Sequence, residues 1–309
     1  MKAPVLFLIF NRLDTTEKVF KAIREAKPTH LYIAADGPRL NKAGEYEKCE
    51  ETRKFVVSGI DWDCEVKTLF RNENLGCRNA VSSGITWFFD QVEYGIILED
   101  DCVPQASFFT FCDTMLKYYN ENESIYGIGG TNLQDGIQRG DGSYYFSKYA
   151  GIWGWASWSR AWKKYDINMS SLEEFEKENK IQKIFKDKKE QNFWLNLLKK
   201  VPNYNTWDYQ WLYTIWNHEG IYIIPNSNLI NNIGFDAGGT HTMDVPSWYN
   251  KLSANREEIK EIVHPSSISI SEDADRFLFN EAFQGKSSIM KRGTSFIKRV
   301  IKRVIKGDL

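Results

Sequence analysis

Apolar residues near the start of the chain fall in short unbroken runs, separated by segments whose apolar positions recur at helical spacing. Residues 5–10 form a continuous apolar run bounded by polar residues, the pattern of a strand covered on both faces. Asp14-x-x-Glu17 then predicts a capping box, and Val19, Phe20, Ile23 and Ala26 share one face of the helix that follows. Residues 31–35 predict a second strand, closing at the turn residues Asp36-Gly37-Pro38. Strand, helix and strand in this order form a unit long enough for a right-handed parallel crossover.

The alternation continues. A charged helix over 43–58, a strand over 64–70, a helix over 78–92 and a strand over 95–98 are expected in turn, then a helix over 105–120. This order predicts an α/β fold with a mostly parallel central sheet flanked by helices. The second half is less regular. An aromatic, strand-like segment over 144–158 precedes helices over 171–186 and 190–200, a helix from Asp208 to His218, a strand over 221–224 and a Gly-rich loop at 234–240. No Pro-, Gly- or Ser-rich linker and no internal repeat interrupts the chain, so one domain is expected over residues 1–285, with halves at 1–130 and 131–285.

Composition narrows the class. With 309 residues, 42% hydrophobic and 26% charged, the chain can bury a sizeable core, and whole-chain disorder or coiled coil is excluded. The net charge of −1 hides an asymmetry: residues 286–309 carry eight cations against Asp308 alone, a net +7, which leaves −8 in residues 1–285. An acidic body argues against nucleic acid as a partner, because phosphate contacts need clustered cations. The run at 5–10 is too short for a signal-peptide core, and the five cysteines form no C-x-x-C pair. A cytoplasmic location is therefore expected.

Ligands of open α/β sheets sit outside the carboxyl ends of the strands. That rule singles out Arg12, Asp36 and the triplet Glu99-Asp100-Asp101, each directly after a predicted strand. Three consecutive acids after a buried strand are costly unless a positive charge joins them, and a hard divalent cation with phosphate and water ligands suits that setting. A solvated acidic turn is the alternative. Asp36 can accept from a base or ribose, or simply begin an Asx turn. Arg12 can pair with phosphate or stack on a base, or lie on the surface near a helix start. No G-x-G-x-x-G or P-loop pattern follows the first strand, which disfavours a dinucleotide or a P-loop site.

Trp153, Trp155 and Trp158 are the densest aromatic cluster. Flat aromatic faces suit both sugar rings and a protein core; Trp153 or Trp155 is the better sugar platform, with core packing expected for two of the three. Asp208 opens a helix, where an acid is a favourable cap, and facing a cleft it could take a hydroxyl proton. His241 follows Gly238-Gly239-Thr240, a loop able to bring an imidazole to a metal or diphosphate, although no second His stands at zinc-ligand spacing.

These residues resemble the nucleotide-sugar glycosyltransferases of the GT-A fold. The chain is similar to N-acetylglucosaminyltransferase I, with its Glu-Asp-Asp metal motif, and to bacterial sugar transferases of surface-polysaccharide assembly. The resemblance is carried by LFLIFNR at 6–12, AADGPR at 34–39, residues 74–109 around ILEDD, WDYQW at 207–211 and NLINNIGFDAGGTHT at 228–242. It implies that Arg12 and Asp36 contact the nucleotide, Asp36 through uracil, and that Asp101 ligates Mn²⁺ or Mg²⁺ on the diphosphate. It further implies that Glu99 and Asp100 hold the donor sugar and ribose, with Arg78 a donor-side contact and His241 near the diphosphate. Asp208 matches the catalytic base of inverting members. The contiguous acids depart from the usual Asp-x-Asp form. A glycan or lipid-linked saccharide would be the acceptor of a UDP-sugar donor, with Trp153 and Trp155 on the acceptor side. A carbohydrate-binding protein holding a structural Ca²⁺ is the alternative of a different class. A nucleotidyltransferase is a third, disfavoured because no Gly- and Lys/Arg-rich loop follows the first strand.

In the basic segment 286–309, Ile289, Met290, Phe296, Ile297, Val300, Ile301, Val304 and Ile305 recur at helical spacing with cations opposite. Such a helix lies on anionic membranes, so peripheral contact with the inner face of the cell membrane is expected; packing on the acidic body is the alternative.

Overall fold

The computed structural model describes residues 2–234 and 258–283. Its first half alternates as the pattern predicts: β1 (Val5–Ile9), α1 (Leu13–Ala26), β2 (His30–Ala35), α2 (Glu45–Ser58), β3 (Glu65–Phe70), α3 (Gly76–Phe89) and β4 (Tyr94–Glu99). A short β5 (Cys102–Pro104), α4 (Ala106–Tyr118) and β6 (Ile125–Gly129) follow. The second half adds β7 (Tyr144–Ser147), β8 (Trp155–Trp158), α5 (Ser159–Trp162), α6 (Leu172–Lys177), α7 (Lys180–Ile184), α8 (Lys188–Leu198), α9 (Asp208–Asn217), β9 (Ile221–Pro225), β10 (Ile230–Asn232) and α10 (Glu272–Leu278).

Eight strands form one sheet in the order β3-β2-β1-β4-β8-β6-β9-β7. The pairs β1–β2, β2–β3, β1–β4 and β6–β9 are parallel, and β4–β8, β6–β8 and β7–β9 are antiparallel. Both halves of the chain contribute strands, so they share one sheet. A two-stranded sheet joins β5 to β10. The alternation along β1 sorts its side chains onto two faces. Val5, Phe7 and Ile9 pack with Val19, Phe20 and Ile23 of α1 and with Phe108 and Met115 of α4, whereas Leu6 and Leu8 join Ile85 and Phe88 of α3 and Trp211 and Ile215 of α9. Both faces are covered, which is why β1 is apolar throughout.

The strand order decides where a ligand can sit. From β1 the chain moves outward to β2 and β3, then returns to place β4 on the other side of β1. The crevice beyond the carboxyl ends of β1 and β4 is therefore the topological switch point of the sheet. Because β8 runs antiparallel to β4, with Ile97 opposite Trp155, the residues entering β8 lie at that same edge.

Several expectations are corrected. Asp14 is not the cap of α1: Arg12 precedes the helix, its carbonyl accepting from the Thr16 amide (3.0 Å) and the Thr16 hydroxyl (2.6 Å). The segment 144–158 is not one strand. It divides into β7 at the sheet edge and β8 between β4 and β6, and Gly154 before β8 has φ +62° and packs against Ile230 so closely that a Cβ would stand 2.3 Å from it. The helix expected over 171–186 breaks at Asn179, a left-handed residue at φ 53°. The apolar pattern does not predict strand β6, because its sequence IYGIG carries two glycines. Among the described residues no helix is long and apolar enough to cross a membrane. The basic segment 286–309 lies outside the described residues, as does His241.

Candidate functional site

A cavity of about 360 Å³ opens at the carboxyl edge of the sheet. Five residues singled out from the sequence line it together: Arg12 after β1, Glu99 and Asp101 around the end of β4, Trp153 before β8 and Asp208 at the start of α9. They come from four separate stretches of chain, and it is the strand order that gathers them.

Arg12 organises the acidic turn. Its guanidinium donates to Asp100, which is 4% exposed, and to Oδ2 of Asp101 at 2.9 Å. Asp100 thus faces the guanidinium beneath the cavity rather than lining it. Burial raises its carboxyl to about 6 although Arg12 pulls the other way. Burial and the like charges of Asp101 and Asp100 push the Glu99 carboxyl up to about 8, against the pull of Arg12. Strand β10 closes over the turn: the Ile233 amide donates to the Asp101 carbonyl (2.8 Å), and the Gly234 amide to the Asn232 side chain (2.9 Å). A Cβ at Gly234 would stand 2.3 Å from Asp101 Oδ2, so only glycine allows the backbone this approach to the carboxylate.

Asp208 stands across the cavity. Burial raises its carboxyl, opposed by a hydrogen bond from the Thr206 hydroxyl to Oδ1 and by the backbone amides of Asp208 and Tyr209. Its charge reaches Glu99, whose rise it reinforces. A carboxylate with an elevated proton affinity, fixed at a helix start, is suited to accept a proton from a nearby hydroxyl.

Three other candidates do not line the cavity. Trp155 is completely buried and stacks on Trp207 at 5.7 Å, with Trp211 at 5.8 Å; with both faces covered it is core, and it offers no platform to a sugar. Asp36 does not line the cavity. Its carboxylate accepts from the amides of Gly37 (2.9 Å), Leu75 (2.9 Å) and Gly76 (3.1 Å) and from the Asn74 side chain (2.9 Å), so it ties the turn after β2 to the loop before α3. Arg78 donates to the Ile167 carbonyl (2.7 Å), while its amide donates to Asn205 (3.0 Å). Asn232, Gly234 and Thr206 also belong to the site, although the sequence pattern assigns them no role. Asn232 and Gly234 fall inside the NLINNIGFD stretch, and Thr206 stands two residues before Asp208.

Among the described residues, the carboxyl groups of Glu99, Asp100, Asp101 and Asp208 outnumber the guanidinium of Arg12 at this site, and their repulsion adds to burial in lifting Glu99. An excess of hard oxygen donors suits a divalent cation. Among the described residues no three His, Cys, Asp or Glu side chains are arranged to hold a metal ion. The fit is therefore to an ion such as Mg²⁺ or Mn²⁺ that takes one or two protein carboxylates and completes its sphere with water and phosphate oxygens.

No protein-family model matches the sequence, and no curated protein is similar to it. Among solved structures, the chain is similar to an apo UDP-glucose pyrophosphorylase at TM-score 0.38 and 10% identity, covering 82% of this chain and 98% of that one. A UDP-glucose pyrophosphorylase complexed with UDP-glucose gives 0.35 and 12% over 55% of this chain and 80% of that one. Mouse xyloside xylosyltransferase 1 in its apo form gives 0.35 and 10% over 71% and 82% respectively. Likenesses this distant carry no argument about activity; what the chain does is argued from the cavity itself.

Proposed function

We propose that the protein is a metal-dependent, inverting glycosyltransferase that moves a sugar from a UDP-sugar to a glycan or lipid-linked saccharide acceptor, as in bacterial surface-polysaccharide synthesis. The observation that carries the reading is the convergence of Arg12, Glu99, Asp101 and Asp208 on one cavity at the switch point between β1 and β4.

Transfer from a nucleoside diphosphate makes two chemical demands. Negative charge develops on the leaving diphosphate, and the acceptor hydroxyl, weakly acidic by itself, must lose its proton as it attacks. Arg12 answers the first demand with a guanidinium held in place by Asp100 and Asp101. A divalent cation bound at Asp101 would supply Lewis-acid stabilisation of the same leaving group. Asp208 answers the second demand, accepting the hydroxyl proton while Thr206 fixes the orientation of its carboxylate. Glu99, lining the same cavity, is placed to hydrogen-bond a hydroxyl of the donor sugar. Trp153, half-buried at the cavity wall, is the aromatic side chain suited to pack on the acceptor.

Calorimetric titration of UDP with and without Mn²⁺, on the intact chain and on Asp101→Ala, tests the reading. Metal-dependent binding that disappears in Asp101→Ala is expected. Silence towards UDP, GDP and CDP alike would remove the transferase and leave a carbohydrate-binding protein. A product that retains the anomeric configuration would remove the role of Asp208.

A further inference from the structure

The cavity changes character along its length. One end holds Arg12, Glu99, Asp101 and Asp208; the other reaches Tyr145 and Ser147 on β7 and Ile224 on β9, and is closed by Leu278, Ala282 and Phe283 at and beyond the end of α10. In the sheet these ends are four strand spacings apart, from β4 to β7, or roughly 19 Å.

The polar groups lining the far end already have protein partners. The Gln134 amide donates to the Ala274 carbonyl (3.0 Å) and its oxygen accepts from Arg139 (2.8 Å). The Tyr145 hydroxyl is hydrogen-bonded to Gln134. The Ser147 hydroxyl donates to Asp275, and the Tyr149 hydroxyl donates to Glu190 while accepting from the Trp194 indole (3.0 Å). A hydroxyl-rich sugar pushed into this end would shed its water without finding partners, at a cost for each group left unpaired. What remains of the wall is hydrocarbon from Ile152, Leu212, Ile224, Leu278, Ala282 and Phe283.

We infer that the far end binds a hydrocarbon chain attached to the acceptor saccharide, and so selects lipid-linked acceptors over free glycans. The word acceptor rests on the transferase reading; the apolar binding does not. With the saccharide at Asp208 and Trp153, a chain running towards β7 and α10 buries methylenes against side chains contributed by several elements, each adding favourable transfer from water. The separation of the two ends suits an extended chain better than a single ring.

The test uses the full-length protein and three glycosides with the same sugar: n-octyl, phenyl and methyl β-D-glucoside, with the octyl compound below its micelle threshold, each titrated with and without UDP and Mn²⁺. The octyl glycoside is expected to bind at least tenfold more tightly than the methyl, with the phenyl between them, and to bind alongside UDP. Ala282→Trp, which fills the far end, and Leu278→Gln, which makes it polar, should each bring octyl binding down to the methyl level while UDP binding stays within about twofold; melting temperatures confirm folding. Equal binding of the three glycosides, octyl binding unmoved by both variants, or displacement of the octyl glycoside by UDP overturns the inference. UDP binding without octyl preference would leave the donor site standing and remove only the chain site. Octyl preference without UDP binding would do the reverse.

Discussion

Arg12 and Asp100 form an ion pair that bridges the carboxyl ends of β1 and β4, with Asp100 buried beneath the cavity and the guanidinium reaching its surface. The pair sits where the sheet topology reverses, so the contact that relieves a buried charge also builds the floor of the site. Replacing Arg12 by Met leaves Asp100 buried without its cation, a change expected to cost about 3 kcal/mol. Urea denaturation should show that loss, and Arg12→Met combined with Asp100→Asn should recover most of it, because no orphaned charge remains. UDP binding should be weakened in both.

Asp208 and Thr206 separate chemistry from positioning. Asp208→Asn is expected to lower turnover by about 10²- to 10⁴-fold, the range of a general base, with UDP affinity within about twofold of the parent. Thr206→Val removes the hydroxyl that holds Oδ1 and should reduce kcat by a smaller factor, while Thr206→Ser restores it. Steady-state kinetics with a saturating donor read both.

The two tryptophans two residues apart should behave oppositely. Trp155→Ala empties a fully enclosed core position and is expected to destabilise the fold by about 3–5 kcal/mol. Trp153→Ala, half-buried at the cavity wall, should lower the melting temperature much less than Trp155→Ala does and raise KM for the acceptor. Thermal denaturation and acceptor kinetics on the same pair of variants distinguish the roles.

Asp275 predicts a pH dependence. It lies buried on α10, accepting from the Ser147 hydroxyl and the Lys148 amide, and burial lifts its carboxyl from 3.8 to about 7. Between those values the folded chain holds a proton that the unfolded chain has released, so this group's contribution to stability falls as pH rises through that window and levels off above it. Asp275→Asn, neutral throughout, should flatten that component. Chemical denaturation of both proteins from pH 4 to pH 8 measures the difference (a parent curve no steeper than the variant's would refute it).

The first half of the fold was legible because its signals are local. The apolar run of β1 reports burial on both faces, and the acids after β4 stand out against the strand that precedes them. Strand β6 escaped because its glycines interrupt the run, and 144–158 divides into two non-adjacent strands with Gly154, left-handed and close against Ile230, just before the second. The site shows the same division. Arg12, Glu99, Asp101 and Asp208 could be named from strand ends and a helix start. Asp36 could not be told from a ligand-binding carboxylate, since its donors come from residues 74–76 as well as its own turn.

By itself the sequence determined the alternation of elements, the parallel first half and the acids that end β4, because hydrophobic period and turn chemistry act over a few residues. Only the tertiary structure decided that Trp153 faces the cavity and Trp155 the core, that Asp36 holds a loop, and that the polar groups of the cavity's far end are already paired. Each of those outcomes depends on which distant segments the sheet order brings together, and burial and hydrogen bonding are properties of that meeting rather than of any stretch of chain.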